Sequence, residues 1–215
     1  MASKPTTAMP PELLLGGASY GDMKGVRLYV ESGGDVTIRD NFAVCIAAQE
    51  GFLEIVEYLD RHGADVRAQE DLPLRTAAEQ GHLDVVRYLH GRGADVAARD
   101  NYAVGMAAMN GHLDVVRYLH EHGADITAKN HIIVIVAAKG GHLDLVEYLH
   151  EHGVDLNADD GGAMVVAARE GHLDVVRYLH ENGVSVNVRK GIALRMAEEN
   201  GHEEVAAYLR RQGAT

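Results

Sequence analysis

The sequence points to an all-α helical solenoid of seven helix–turn–helix repeats, capped at both ends, on three grounds. The decapeptide GHLDVVRYLH occurs verbatim at 81–90, 111–120 and 171–180, which sets a thirty-residue period. Small apolar residues recur at i, i+1, i+4 and i+5 in the first half of a repeat, as in Ala103, Val104, Ala107 and Ala108, and that spacing is helical. Two short helices cannot bury their apolar faces alone, so stacked neighbours must supply a continuous core.

The elements follow in order along the frame. Residues 1–10, rich in Pro and Thr, fall outside it and are expected to fray as a flexible N-terminal tail. A repeat domain is expected over 11–215, with repeats at about 11–40, 41–70, 71–100, 101–130, 131–160, 161–190 and 191–215. Glu12 stands where later repeats carry Phe42, Leu72 or Tyr102, as a polar N-terminal cap requires. Gly21 opens a weak first copy, and GFLEIVEYLD from Gly51 and GHLDLVEYLH from Gly141 keep the register.

Within 101–130, Gly111 breaks the first helix. Leu113, Val115, Val116, Tyr118 and Leu119 then build a second whose polar stripe is Asp114, Arg117 and Glu121. Gly123 suits the left-handed position that ends it, and a loop returns to the next repeat. Asp84, Asp114, Asp144 and Asp174 sit in first turns, where negative charge complements the helix dipole. The run IIVIVAA at 132–138 has the composition of a buried strand, but register assigns it to a helix. In the last repeat Leu173, Val176 and Arg177 of its predecessor become Glu203, Ala206 and Ala207, a more polar outer face, so the chain is expected to be complete.

Composition narrows the function. With 47% hydrophobic and 24% charged residues the chain falls in the soluble globular class. No apolar run approaches 18 residues and MASKPTTAMP lacks the layout of a signal peptide, so a cytoplasmic protein is expected. Cys45 is the single cysteine, which excludes an internal disulfide framework and thiolate zinc clusters. The net charge of −12 repels phosphate backbones and anionic lipid, so neither nucleic acid nor membrane is an expected partner, and a basic protein surface is. Full protonation of the thirteen His would bring the charge to +1, so solubility should fall on mild acidification.

The pattern AA-x-x-GH-x-x-V-x-x-L-x-x-x-GAD, carried by Ala107, Ala108, Gly111, His112, Val115, Val116, Leu119, Gly123, Ala124 and Asp125, resembles the ankyrin repeat. The match covers 11–215 and recurs through five or more repeats. The family's usual period is 33 with a T-P-L-H start, whereas this chain has period 30 and reads AVC, PLR, AVG, IVI, AMV and ALR there. It is most similar to the thirty-residue variant of large DNA viruses and some microbes, which would place a viral copy in the host cytoplasm. The resemblance implies shortened hairpin fingers and binding of another protein through the concave first-helix face. It also allows hydroxylation at Asn157 and Asn187.

The residues argue separately for that face. Second helices are nearly invariant, whereas a first-helix stripe changes from copy to copy: Cys45, Arg75, Gly105, Ile135, Val165 and Arg195, then Gln49, Glu79, Met109, Lys139, Arg169 and Glu199 four residues on. Tyr102, Met109, Ile132 and Ile135 make an apolar centre, and Arg75, Glu79, Lys139, Arg169, Arg195 and Glu199 a charged rim, which is interface anatomy. Ile132 and Tyr102 could equally pack between repeats, since large apolar residues recur at their register, so Ile135 and Met109 are the stronger candidates. Arg75, Glu79, Tyr102, Met109, Ile132, Ile135, Lys139, Val165, Arg169, Arg195 and Glu199 are therefore the expected partner-binding residues, in a chain expected to be monomeric.

Other constellations carry less. His120 and His122, like His150 and His152, are two apart, which sets them about 200° apart on a helix and rules out a shared metal. His90, His120, His150 and His180 should stack as a column about one repeat apart, too far to share zinc. His82, His112, His142, His172 and His202 are expected to make turn hydrogen bonds. No phosphate-binding, nucleophile-elbow or dinucleotide motif is present, and Cys45 reads as a plain surface or half-buried thiol, so neither enzyme activity nor a cofactor is expected. An adaptor that bridges a ligand to a second machine such as a ubiquitin ligase, and an engineered binder, are the alternative readings.

Overall fold

The computed structural model describes residues 9–215, with the backbone alone at 128–131, so most of the expected tail lies outside the described residues. Those residues form fourteen α-helices and no strand, and no helix among them is long and apolar enough to cross a membrane. They divide into two compact units, one reaching Ala103 and including Glu121–Gly123, the other of Val104–His120 and Ala124–Thr215.

The first unit contains α1 (Pro11–Tyr20), α2 (Met23–Glu31), α3 (Ile38–Gln49), α4 (Leu53–Arg61), α5 (Ala68–Gln80), α6 (Leu83–Gly91) and the start of α7 (Ala98–Met109). The second contains the rest of α7, nearly all of α8 (Leu113–Glu121), α9 (Ala128–Gly140), α10 (Leu143–Glu151), α11 (Ala158–Glu170), α12 (Leu173–Glu181), α13 (Val188–Glu199) and α14 (Glu203–Arg211). Each unit has two layers. First helices pack side by side, α1 on α3 on α5 and α9 on α11 on α13; second helices do the same, α2 on α4 on α6 and α10 on α12 on α14. Helices of nine residues, the length of every second helix, are marginal alone. Here the two layers together bury Ala47, Ala48, Leu59, Ala77, Ala78 and Leu89 in the first unit, and Ala137, Ala138, Leu149, Ala167, Ala168 and Leu179 in the second, all without exposure. The run at 132–138 is helical, within α9.

The glycine turns behave as read. Gly111 has φ 76° between α7 and α8, and Gly123 has φ 105° after α8. The connectors that lead into the first helices do not follow from the sequence. In place of a hairpin finger, each described one is a single left-handed turn of three residues: Arg39–Asn41, Gln69–Asp71, Arg99–Asn101, Asp159–Gly161 and Arg189–Gly191, with φ between 46° and 74°. L-residues adopt this conformation at a cost of about 1–2 kcal/mol each, so the turns need support. The residue four before each turn provides part of it: Asp35, Asp65, Asp95 and Asp155 accept from the backbone N–H two residues on, at 2.8–2.9 Å, and the Ser185 hydroxyl does so at 3.1 Å. The carboxyl of Asp35 is held below its usual range by the Thr37 hydroxyl and N–H.

The second-helix layer is stitched across repeats. The expected His column is interleaved with tyrosine: His120, His150 and His180 place Nδ1 at 2.8–2.9 Å from the hydroxyls of Tyr148, Tyr178 and Tyr208 in the following repeat. Asp60 holds that place two repeats before His120 and accepts from Tyr88 at 2.5 Å. Guanidinium groups lie over several rings, Arg27 over Tyr58, Arg117 over Tyr148 and Arg177 over Tyr208, at 5.1–5.5 Å from the ring centres. Two of the GH histidines bond between repeats and not within their own turns: Nε2 of His142 donates to the Met109 carbonyl at 3.1 Å, and that of His172 to the Lys139 carbonyl at 2.9 Å. In the last repeat, Glu203 and Ala207 are exposed but Ala206 is 1% exposed, so the substitution of Val176 by Ala206 is interior, not part of a polar outer face.

Candidate interaction surface

What distinguishes one repeat from the next lies on the first helices. Residues three and seven apart share a helix face, which groups Phe42, Cys45 and Gln49 on α3, Leu72, Arg75 and Glu79 on α5, and Tyr102, Gly105 and Met109 on α7. The corresponding groups are Ile132, Ile135 and Lys139 on α9, Gly162, Val165 and Arg169 on α11, and Ile192, Arg195 and Glu199 on α13.

In the first unit the outermost members are apolar: Phe42 is 42% and Tyr102 41% exposed, with Leu72 half-buried between them in register. Arg75, expected on the charged rim, is buried at 5% exposure. Its Nε donates to the Glu70 carbonyl at 3.0 Å and its Nη2 to the Gln69 carbonyl at 2.9 Å, so it holds two carbonyls of the left-handed turn, and Tyr102 of the next repeat covers it at 5.4 Å. Arg195, at the same register on α13, is exposed and lies 3.8 Å from Glu199. Cys45, read as a surface or half-buried thiol, is buried, and burial pushes its thiol up to about 11.

In the second unit Ile132 is 56% exposed. Ile135 is half-buried and its Cδ1 rests on Gly162, where a Cβ would sit at 2.9 Å. Ile135 is thus turned toward the neighbouring repeat, which is the placement the sequence had left open for Ile132. Met109, Val165 and Arg169 are half-buried, and Lys139 and Glu199 are exposed. Arg169 binds Glu170 at 2.7 Å and keeps its carboxyl below the usual range. Gly162 interrupts the outer apolar row, and Ile192 beyond it is half-buried.

Expected residues therefore fall into two groups, Arg75, Glu79 and Tyr102 in the first unit and the others in the second. Phe42 was missed as a candidate, although it shares the register of Tyr102 and Ile132. Asn187, an allowed hydroxylation position, is engaged at both ends of its amide, accepting from Thr215 N–H at 3.0 Å and donating to the Gly213 carbonyl at 3.1 Å. No cluster of three or more metal-ligating side chains occurs among the described residues.

Comparison with known proteins bears on the same repeats. The family model described as ankyrin repeats (3 copies) matches residues 14–100, 99–160 and 135–215. No curated protein matches the chain.

Proposed function

Because the chain belongs to the ankyrin-repeat family, whose repeats are protein–protein interaction modules on a non-enzymatic scaffold, we propose that it binds a protein partner through its first-helix faces. In this reading it acts as a cytoplasmic monomer. One observation carries the proposal: on second helices and loops polar bonds repeat from copy to copy, while the first-helix stripe changes between neighbouring copies and several of its side chains face outward. Tyr102, Met109, Ile132, Lys139, Val165, Arg169, Arg195 and Glu199 are the proposed contacts, with Glu79 beside them; Arg75 and Ile135 support neighbours.

The test compares immobilised wild type with two surface variants in capture from a cytosolic extract. One carries Tyr102→Ser and Ile132→Asp on first helices; the other carries Glu121→Ala and Glu151→Ala, exposed on second helices. A protein retained by wild type and the second-helix variant but lost from the first-helix variant supports the reading. Loss with the second-helix variant alone overturns it in favour of the second helices.

A further inference from the structure

We infer that the first unit's face is a docking site for a basic chain segment that presents apolar anchors. This rests on the proposed first-helix reading and says which part of that face is used and by what chemistry. The apolar half of the argument is the row Phe42, Leu72 and Tyr102. The three residues occupy one register on successive first helices; α3 packs directly on α5 and Arg75 of α5 meets the Tyr102 ring of α7, so neighbouring members stand about 8–10 Å apart. Phe42 and Tyr102 are exposed over two fifths of their surface, and aromatic side chains in such a row are the usual anchors of an interface.

The charge around the row is one-sided. Glu12, Asp40, Glu50, Glu70, Glu79 and Asp100 border it, against Arg39, Arg75 and Arg99, a net of −3. The three guanidiniums are already engaged. Arg39 lies 4.0 Å from Glu12, Arg99 donates to Glu70 at 2.5 Å, and Arg75 is buried against backbone carbonyls. None is directed at an incoming anion, and although Glu12 and Glu70 are held in two of these pairs the net charge stays negative, so an acidic or phosphorylated segment is repelled. The second unit is different. Lys139, Arg169, Arg189, Lys190 and Arg195 stand against Asp159, Asp160, Glu170 and Glu199, a net of +1, and Gly162 breaks its apolar row. Complementarity therefore assigns a basic, apolar-anchored segment to the first unit and not to the second. In a polyproline-like chain every third residue faces the same way at a spacing of about 9 Å, which matches the row.

The experiment selects twelve-residue peptides from a random phage-displayed library on the full chain, then measures binding of the most enriched sequence as a fluorescent peptide. Enriched peptides should carry net positive charge with recurring apolar residues, and binding should weaken as salt rises. A Phe42→Ser, Tyr102→Ser variant should weaken binding about tenfold or more, and so should a separate Asp40→Asn, Glu50→Gln, Asp100→Asn variant. Glu151→Ala, on a second helix, should leave it unchanged. Helical circular dichroism of each variant must match wild type, and the charge variant, which removes no packing, keeps the test decisive if the aromatic one unfolds. Enrichment of acidic or neutral peptides, no enrichment at all, or indifference to the Phe42 and Tyr102 changes overturns the inference. If binding is lost only with a further variant, Ile132→Ser, the first-helix reading stands and this inference falls. If no first-helix change matters, both fall.

Discussion

The left-handed turn at Arg39–Asn41 and the one at Arg189–Gly191 have the same backbone and are secured in opposite ways. In the first, Asn41 occupies the third position, is 9% exposed, and accepts from the Asp65 N–H at 2.8 Å in the next loop. In the second that position is Gly191, where an added Cβ would stand 1.9 Å from the Thr215 carbonyl oxygen. The tie to the following segment is made there by Asn187, four residues earlier. The turn is thus fixed by the thirty-residue period, while the side chain that fastens it is interchangeable. A bulky residue is tolerated only where the next loop stands back.

The sharpest way to break this comparison is to exchange the residues. Gly191→Asn should destabilise the chain by about 2 kcal/mol, because its Cβ meets the Thr215 carbonyl, which must shift; a melting temperature within a degree of wild type would refute the difference. Asn41→Ala should cost about 1–2 kcal/mol, the penalty of leaving a partly buried N–H without its acceptor, as read from urea midpoints. Lys190→Gly and Asp160→Gly should each stabilise by roughly 1 kcal/mol, since both side chains are exposed on positive-φ backbone and glycine removes the strain. Destabilisation by either would show that the turns are not strained.

Two smaller effects concern ionisation. Burial, then the hydrogen bond to Asp60, raises the Tyr88 phenol to about 12. Its folded value lies above the unfolded one of about 10, so its stabilisation is complete below pH 10 and lost between about 10 and 12. Asp60→Asn should lower the Tyr88 titration followed by ultraviolet difference absorbance. Cys45, raised to about 11, should resist iodoacetamide at pH 8 in the folded chain and react promptly in urea.

The helices and glycine turns were legible because they depend on neighbours within one repeat. Verbatim copies fixed the period, and register carried α9 past a β-branched run. What stayed hidden depends on partners about thirty residues away. Nothing in RDN, QED or the second RDN signals positive φ, since glycine appears at that place only at Gly161 and Gly191. Arg75 looks like a surface charge until Tyr102 of the next repeat covers it. The candidate surface was readable as a stripe of differences, but exposure along it was not. Ile135 found a glycine to pack on and Ile132 did not.

The pairing of His120, His150 and His180 each with a tyrosine 28 residues on has a consequence at the level of the gene. Recombination between the segments encoding 111–120 and 171–180, which are identical in protein sequence, deletes two whole periods and joins Tyr118–His120 to Glu181. His120 then takes the place of His180 and finds Tyr208 at the same offset, while Ile135 and Gly162 leave together. A chain fastened by bonds of constant stride can gain or lose repeats by unequal crossing-over and emerge with every stitch in place.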